Sequence, residues 1–309
     1  MIDRQMLRQA LPFLSLAVVL AATFWVQPRT MSYFGLNLML QYAVPIALAT
    51  IAQMFIITVN DLDLSIGPFV GLVSCIGATL LFDNPAVGVL VLLILIAAYG
   101  AVGALVHSRN LPSIVVTLGL SFVWLGVAVL ILPSPGGKAP IWLKSVMTQQ
   151  VPFVPFPIIA AIVIGAAVHL ALMLSSYGVV ARGAGGNPKA LTRAGWSMLR
   201  TKIIMYMLAG FFGVLSGLSL LGLTTAGDAH VADRYTLYSI AGVILGGGEF
   251  IGGRVSPLGA VVGALTLALA GSFLIFLKIS PDWQIGAQGA ILIIVLALRA
   301  LVSYGEQRR

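Results

Sequence analysis

The residues able to do chemistry are gathered in three short segments of an otherwise oily chain. The first reads Asn60-Asp61-Leu62-Asp63-Leu64-Ser65-Ile66-Gly67 and sets two carboxylates and a hydroxyl between apolar runs. Burying a charge in a membrane costs about 2.5 kcal/mol or more, so such groups face water, protein or a helix N-terminus. Asp63 is placed to cap a helix opening at Leu64, with Ser65 in its first turn. A proton or cation site, or a contact with partner or solute, is the alternative chemistry. The second segment, Tyr177 to Lys202, carries Arg182, Lys189, Arg193, Arg200 and Lys202 and no acidic residue. Its Gly183-Ala184-Gly185-Gly186-Asn187-Pro188-Lys189-Ala190 invites a phosphate-loop reading. That motif needs glycine, lysine and a hydroxyl in direct succession between a strand and a helix. Here Asn187 and Pro188 separate the glycines from Lys189, and no Ser or Thr follows. The spacing predicts instead a turn and a short helix from about Pro188 to Gly195, because proline suits a first helical position. That helix would present Lys189 and Arg193 to a cytoplasmic partner; the plainer alternative is a basic loop that only orients the chain.

The third segment holds Asp228, His230 and Asp233, then Gly246-Gly247-Gly248-Glu249 and Gly252-Gly253-Arg254. One histidine and two aspartates are a thin basis for a metal site, and no metal is assigned. Glu249 and Arg254 either pair or cap a helix starting near Pro257. Broken helices with glycine turns at membrane depth line cavities in transporters. Asp61, Asp63, Ser65 and Gly67, with Gly246, Gly247 and Glu249, are therefore the candidate translocation path. Catalysis has little support: His107, His169 and His230 lie on different segments, and no HExxH, GxSxG or CxxC occurs. The chain is expected not to be an enzyme.

The elements that must position these groups are membrane helices. The chain has 309 residues, 60% hydrophobic and 8% charged, with mean hydropathy +1.06. Soluble domains average about 25% charged residues. Several runs exceed the roughly 18 apolar residues needed to cross a bilayer. The expectation is an all-α, polytopic integral membrane protein forming a single transmembrane domain over residues 1–309, with a cytoplasmic loop at about 177–200. Glycine, at 34 residues, suits close helix contacts in lipid. The formal charge of +8 is first an orientation signal and does not imply nucleic acid. The lone Cys75 excludes an internal disulfide and reads as a small core residue. The basic start and apolar run at the N-terminus mimic a signal peptide. Gln27-Pro28-Arg29 follows without a small-residue cleavage site, so a retained first helix is expected.

Ten spans are expected, at roughly 10–26, 36–59, 64–82, 86–106, 112–132, 154–174, 200–223, 236–248, 256–277 and 284–302. The eighth is short and reads as a half-helix or re-entrant piece. With both termini cytoplasmic, twelve of the seventeen Lys and Arg residues fall inside and five outside, as the positive-inside rule requires. The outer loop Pro133–Pro155 is rich in proline, with an amphipathic piece expected around Ile141–Met147. Trp124 and Trp142 are expected as interface anchors.

Four blocks then resemble one family. NDLDLSIGPFVGLVS resembles the GGxDLSVGS segment of sugar-type ABC importer permeases. NLPSIVVTLGLSFVWLGVAVL (110–130) and ARGAGGNPKALTRAGWSMLRTKIIMYMLAGFFGVLSG (181–217) are similar to the next two recurring segments. YTLYSIAGVILGGGEFIGGRVSPLGAVVGAL (235–265) is similar to the fourth. The blocks keep the family order and cover most of residues 55–270. The group includes permeases for ribose, xylose, arabinose, galactosides and autoinducer-2, with branched-chain amino-acid permeases more distant. The resemblance implies a permease subunit of the bacterial inner membrane that moves a small polar solute inward by alternating access. The partners implied are ATP-binding subunits, a second copy or a paralogous permease, and a periplasmic solute-binding protein. ATP and Mg2+ would sit on the partners and no cofactor on this chain. The family's docking loop matches Gly185, Gly186, Asn187, Pro188, Ala190 and Gly195, with Arg182, Lys189 and Arg193 as basic support. Departures occur: Asn60-Asp61 stand for Gly-Gly, Thr236 for an acidic residue, Glu249 for a small polar one, and Val255 and Pro257 alter a Gly-x-Gly-Ser turn. The rival class is an ion-coupled secondary transporter, which would need ionisable groups within the spans.

Overall fold

In lipid no water is available to satisfy backbone N–H and C=O groups, so long apolar runs must close their hydrogen bonds within helices. The computed structural model follows that demand. It describes residues 4–280 together with Trp283, Gly286, Gly289 and Ala290. Among the described residues the chain is all helical, without strands. The helices are α1 (Arg4–Val26), α2 (Tyr33–Leu40), α3 (Ala43–Thr58), α4 (Ile66–Ala78), α5 (Leu80–Asp83), α6 (Pro85–Ser108) and α7 (Ser113–Ile131). They continue as α8 (Ile141–Met147), α9 (Phe156–His169), α10 (Ser176–Gly186), α11 (Pro188–Arg193), α12 (Met198–Thr224), α13 (Tyr235–Leu245) and α14 (Pro257–Phe276). Side-chain caps mark several starts. Ser32, Asn84, Ser197 and Ser256 accept from backbone N–H groups in the first turns of α2, α6, α12 and α14.

Among the described residues, six helical stretches are long and apolar enough to cross a bilayer. A seventh joins them if α2 and α3, which meet at a 40° bend, count as one span. The expected second span is therefore broken. The expected eighth, α13, has 11 residues, well short of the about 20 a crossing needs. The tenth, 284–302, lies almost entirely outside the described residues, as does the C-terminus. The piece expected at Ile141–Met147 is α8, with Leu143 and Met147 buried and Trp142 exposed.

The centre of the bundle is α12, which packs against α6, α3 and α4. Small residues face large ones across these contacts. Gly103 of α6 meets the Tyr206 ring of α12, and Gly210 of α12 meets Tyr99 of α6. Gly213 and Gly217 of α12 receive Phe69 and Val73 of α4. Close approach of this kind drives association where lipid offers no hydrophobic gain. Every residue of α3 is buried, whereas α7 leaves Phe122, Val123 and Leu130 exposed, a face suited to lipid. Trp124 is a correction. It is buried, stacked on Tyr99 with ring centroids 6.3 Å apart and tilted against Phe69, so it belongs to the core. Cys75 is buried in α4, as expected.

Candidate functional site

The basic segment is built from two helices. Ser175 caps α10 by accepting from the Gly178 N–H. The expected turn at Gly183–Gly186 is instead the last turn of α10. Asn187 ends that helix and caps the next one, its Oδ1 accepting from the Ala190 N–H at 3.0 Å. Pro188 takes the first position of α11, and Gly195, at φ +83°, closes the turn after it. Leu191 turns inward as the anchor, while Pro188, Lys189, Ala190 and Arg193 are exposed. No described acidic residue pairs with Lys189 or Arg193. Arg182 behaves differently: it folds back, donating to the Gly178 and Met173 carbonyls at 3.3 Å. Behind the segment, Tyr177 meets Trp196 edge-on, and burial pushes its hydroxyl above its ordinary pKa.

What holds this segment to the bundle is Asn60. Its Nδ2 donates to the Gly185 carbonyl at 2.6 Å, and its Oδ1 accepts from the Gly252 N–H at 3.0 Å. One amide thus bridges the end of α10 and the glycine-rich turn. The fit is tight: a Cβ on Gly185 would strike the Thr58 carbonyl and Gly253, and one on Gly253 would strike the Arg182 carbonyl. Gly247, Gly252 and Gly253 all have positive φ, which fits this turn's irregular path. Glu249 and Arg254 pair, with Nη1 to Oε2 at 3.4 Å and the Glu249 N–H donating to the Arg254 carbonyl. Pairing is thus the outcome, and Ser256 is the cap before Pro257.

The carboxylates of the first segment have separate partners. Asp61 pairs with Lys202 at the start of α12, 2.7 Å apart, and accepts from the Tyr206 hydroxyl at 3.1 Å. Asp63 does not cap a helix from Leu64; α4 opens at Ile66. Its side chain is buried, accepting from the Ser65 N–H (2.7 Å), the Ser65 hydroxyl (2.6 Å) and Tyr99 (2.8 Å). The Gln53 amide, assigned so that both its atoms are satisfied, pairs with the Asp63 backbone N–H and carbonyl. Ser113 and Thr117 of α7 accept from the Leu62 and Leu64 N–H groups. A long irregular link is thus satisfied inside the bundle. Gly67 lies against the start of α13, its N–H donating to Thr236 at 3.0 Å. Gly246 of the other candidate path segment packs against Gly259 of α14, and Asp63, Ser65 and Gly67 are buried within the bundle. Sequence reasoning missed Lys202, Tyr99, Tyr206, Ser113, Thr117 and Gln53 as their partners. Gln53, an uncharged amide inside an apolar run, was the one visible signal.

A basic, capped helix clamped to a polytopic bundle does not by itself name a family; comparison with known families does. The family described as the branched-chain amino acid transport system / permease component matches residues 35–296. This chain belongs to that family. Among individual permeases, it is 29% identical over 272 residues to a probable ABC transporter permease protein, YphD, of Escherichia coli (strain K12), covering 85% of this chain and 81% of the relative. It is 24% identical over 294 residues to the ribose import permease protein RbsC of Haemophilus influenzae, covering 92% and 90%. It is 25% identical over 316 residues to the galactose/methyl galactoside import permease protein MglC of Escherichia coli (strain K12), covering 94% and 93%. No solved structure matches this permease. The chain is accordingly a multi-pass protein of the inner membrane.

Proposed function

We propose that this chain is the permease subunit of a binding-protein-dependent ABC importer that moves a small polar solute, a sugar or polyol, inward. The observation that carries the reading is similarity over most of the chain to ribose and galactose import permeases, in a chain that offers an exposed, capped helix whose two cations pair with no described acidic residue. In this reading α11, through Asn187, Pro188, Lys189, Ala190 and Arg193, is the seat for an ATP-binding subunit, and Gly185, Gly186 and Gly195 shape its approach. ATP and Mg2+ stay on that partner. A second copy or a paralogous permease completes the pathway, and a periplasmic binding protein delivers solute. About ten crossings with cytoplasmic termini put α11 on the ATPase side, in agreement with the positive-inside count. Binding and hydrolysis of ATP would move α10 and α11 together, and the Asn60 clamp would pass that motion to the glycine-rich turn and α4, giving alternating access.

The test is purification of the tagged chain from its native membrane in mild detergent, with ATPase activity assayed on the eluate. An ATP-binding subunit should co-elute, and replacing Pro188 and Lys189 by Gly and Glu should remove it while the membrane core stays folded. Retention of the subunit by that variant would sink the docking assignment.

A further inference from the structure

Between α12 and α13 the chain runs from Thr225 to Arg234 without helix. Close contacts with α4 fix its depth. Gly227 lies against the Ser74 carbonyl and the Ala78 side chain, and the Ala229 carbonyl occupies the space where a Cβ on Gly71 would stand. The Ala232 carbonyl is 2.7 Å from where a Gly67 Cβ would be. The segment therefore descends antiparallel to α4, from the Ala78 end toward the N-terminus of that helix. At a rise of about 1.5 Å per residue, the stretch between the Gly71 and Gly67 contacts lies roughly 10–16 Å below Ala78. Ala78 is held in the loop end of the bundle, where Lys138 donates to its carbonyl and Gly136 pairs with Gly227. At the opposite end Leu64 is fastened to Thr117, one turn into α7. Against a hydrocarbon core of about 30 Å, the segment sits in the interior.

Its side chains sort by polarity. Ala229 and Ala232 are buried against the bundle. His230 and Asp233 are 59% and 53% exposed, Arg234 is exposed and Asp228 is half-buried. The His230 N–H donates to Asp228 Oδ1 at 2.9 Å, and His230 Nδ1 lies 3.0 Å from Asp233 Oδ2. Irregular backbone and charged groups at this depth are tolerated only where they line water or protein. Among the described residues no group of three potential ligands is arranged to hold a metal ion.

We propose that Asp228, His230, Asp233 and Arg234 line the water-filled path and form a contact station for an uncharged, polyhydroxylated solute. The proposal rests on the importer reading and deepens it. Two carboxylates accept from hydroxyl groups, and a guanidinium and an imidazole donate to ring and hydroxyl oxygens. The mixed signs leave little net field for a charged solute, and the carboxylates repel phosphate and carboxylate groups.

The test uses the chain in its complex with the co-purified ATPase, in proteoliposomes, with Cys75→Ala removing this chain's one native thiol and labelling read on this chain alone. Single cysteines are placed by His230→Cys and Asp233→Cys, with Phe122→Cys on α7 as the lipid-facing control. The probe is a membrane-impermeant cationic methanethiosulfonate. Both strip positions should label more than about tenfold faster than position 122, the margin expected for a charged reagent kept out of lipid. At least one of D-ribose, D-galactose or myo-inositol should slow labelling about twofold or more, as half-occupancy of the site requires. Labelling no faster than at position 122 would overturn the water-lined strip, and would point to cover by a second copy. Protection by none of the three, or by L-leucine or D-ribose 5-phosphate instead, would overturn the solute class. Labelling that is fast and sugar-protected but identical with and without ATP plus vanadate would count against the importer reading and leave the strip standing.

Discussion

Replacing Asn60 by glycine should uncouple the ATPase from transport without releasing it. Asn60 holds φ +61°, where glycine sits without strain, so the substitution removes the amide and little else. Two hydrogen bonds are lost: the partly buried one to Gly185 and the exposed one from Gly252. A net hydrogen bond contributes about 0.5–1.5 kcal/mol, with the exposed bond at the low end, so the clamp weakens by roughly 1.5–2 kcal/mol. Each 1.4 kcal/mol is about tenfold in an equilibrium, so the balance between clamped and released α10 shifts by about 10–30-fold. The glycine's extra freedom in the unfolded chain does not enter, because both states are folded. The assay is solute uptake per ATP hydrolysed in proteoliposomes with binding protein and ATPase. Uptake per ATP should fall by about tenfold while the ATPase still co-purifies, because α11 is untouched. Asn60→Asp should do no better, since it sets a carboxylate oxygen against the Gly185 carbonyl. An unchanged coupling ratio in Asn60→Gly would refute the clamp.

Lys202→Met should destabilise the protein by about 3–5 kcal/mol in detergent unfolding, because it leaves the Asp61 carboxylate, 9% exposed, without its cation. Adding Asp61→Asn should recover much of that loss; a double variant as unstable as the single one would argue against the pair. Asn187→Ala removes the cap of a six-residue helix, costing about 1 kcal/mol, and should weaken ATPase co-purification about fivefold at unchanged melting temperature. Full retention would mean that α11 does not need its cap to dock. Gly185→Ala sets a methyl against the Thr58 carbonyl and Gly253, an overpacking of about 1–3 kcal/mol. It should speed proteolysis within 177–200, and wild-type resistance there would contradict the tight fit.

Much of the scaffold was legible because a membrane leaves the backbone few choices. Apolar runs of sufficient length at 86–106, 112–132, 200–223 and 256–277 became α6, α7, α12 and α14 with small shifts at their ends. The ends of α11 were also legible, because Asn187, Pro188 and Gly195 each act on their own neighbours. Long-range satisfaction was not legible. Asp63 looked like a cap because a local reading sees only the helix ahead; its decisive donor, Tyr99, lies on α6, and the backbone around it is held by Ser113 and Thr117 on α7. Asn60 looked like a departure from a glycine pair, yet its partners are Gly185 and Gly252, far along the chain. The course of 228–234 along α4 was not legible either, because hydropathy reports polarity and length but not depth.

The most direct measurement is solute uptake by the purified complex in sealed proteoliposomes, with ATP and with an imposed ion gradient in turn. The importer reading predicts uptake that requires ATP and the binding protein and survives a protonophore. Uptake that proceeds without ATP and collapses with the ion gradient would contradict it and make this chain a secondary transporter.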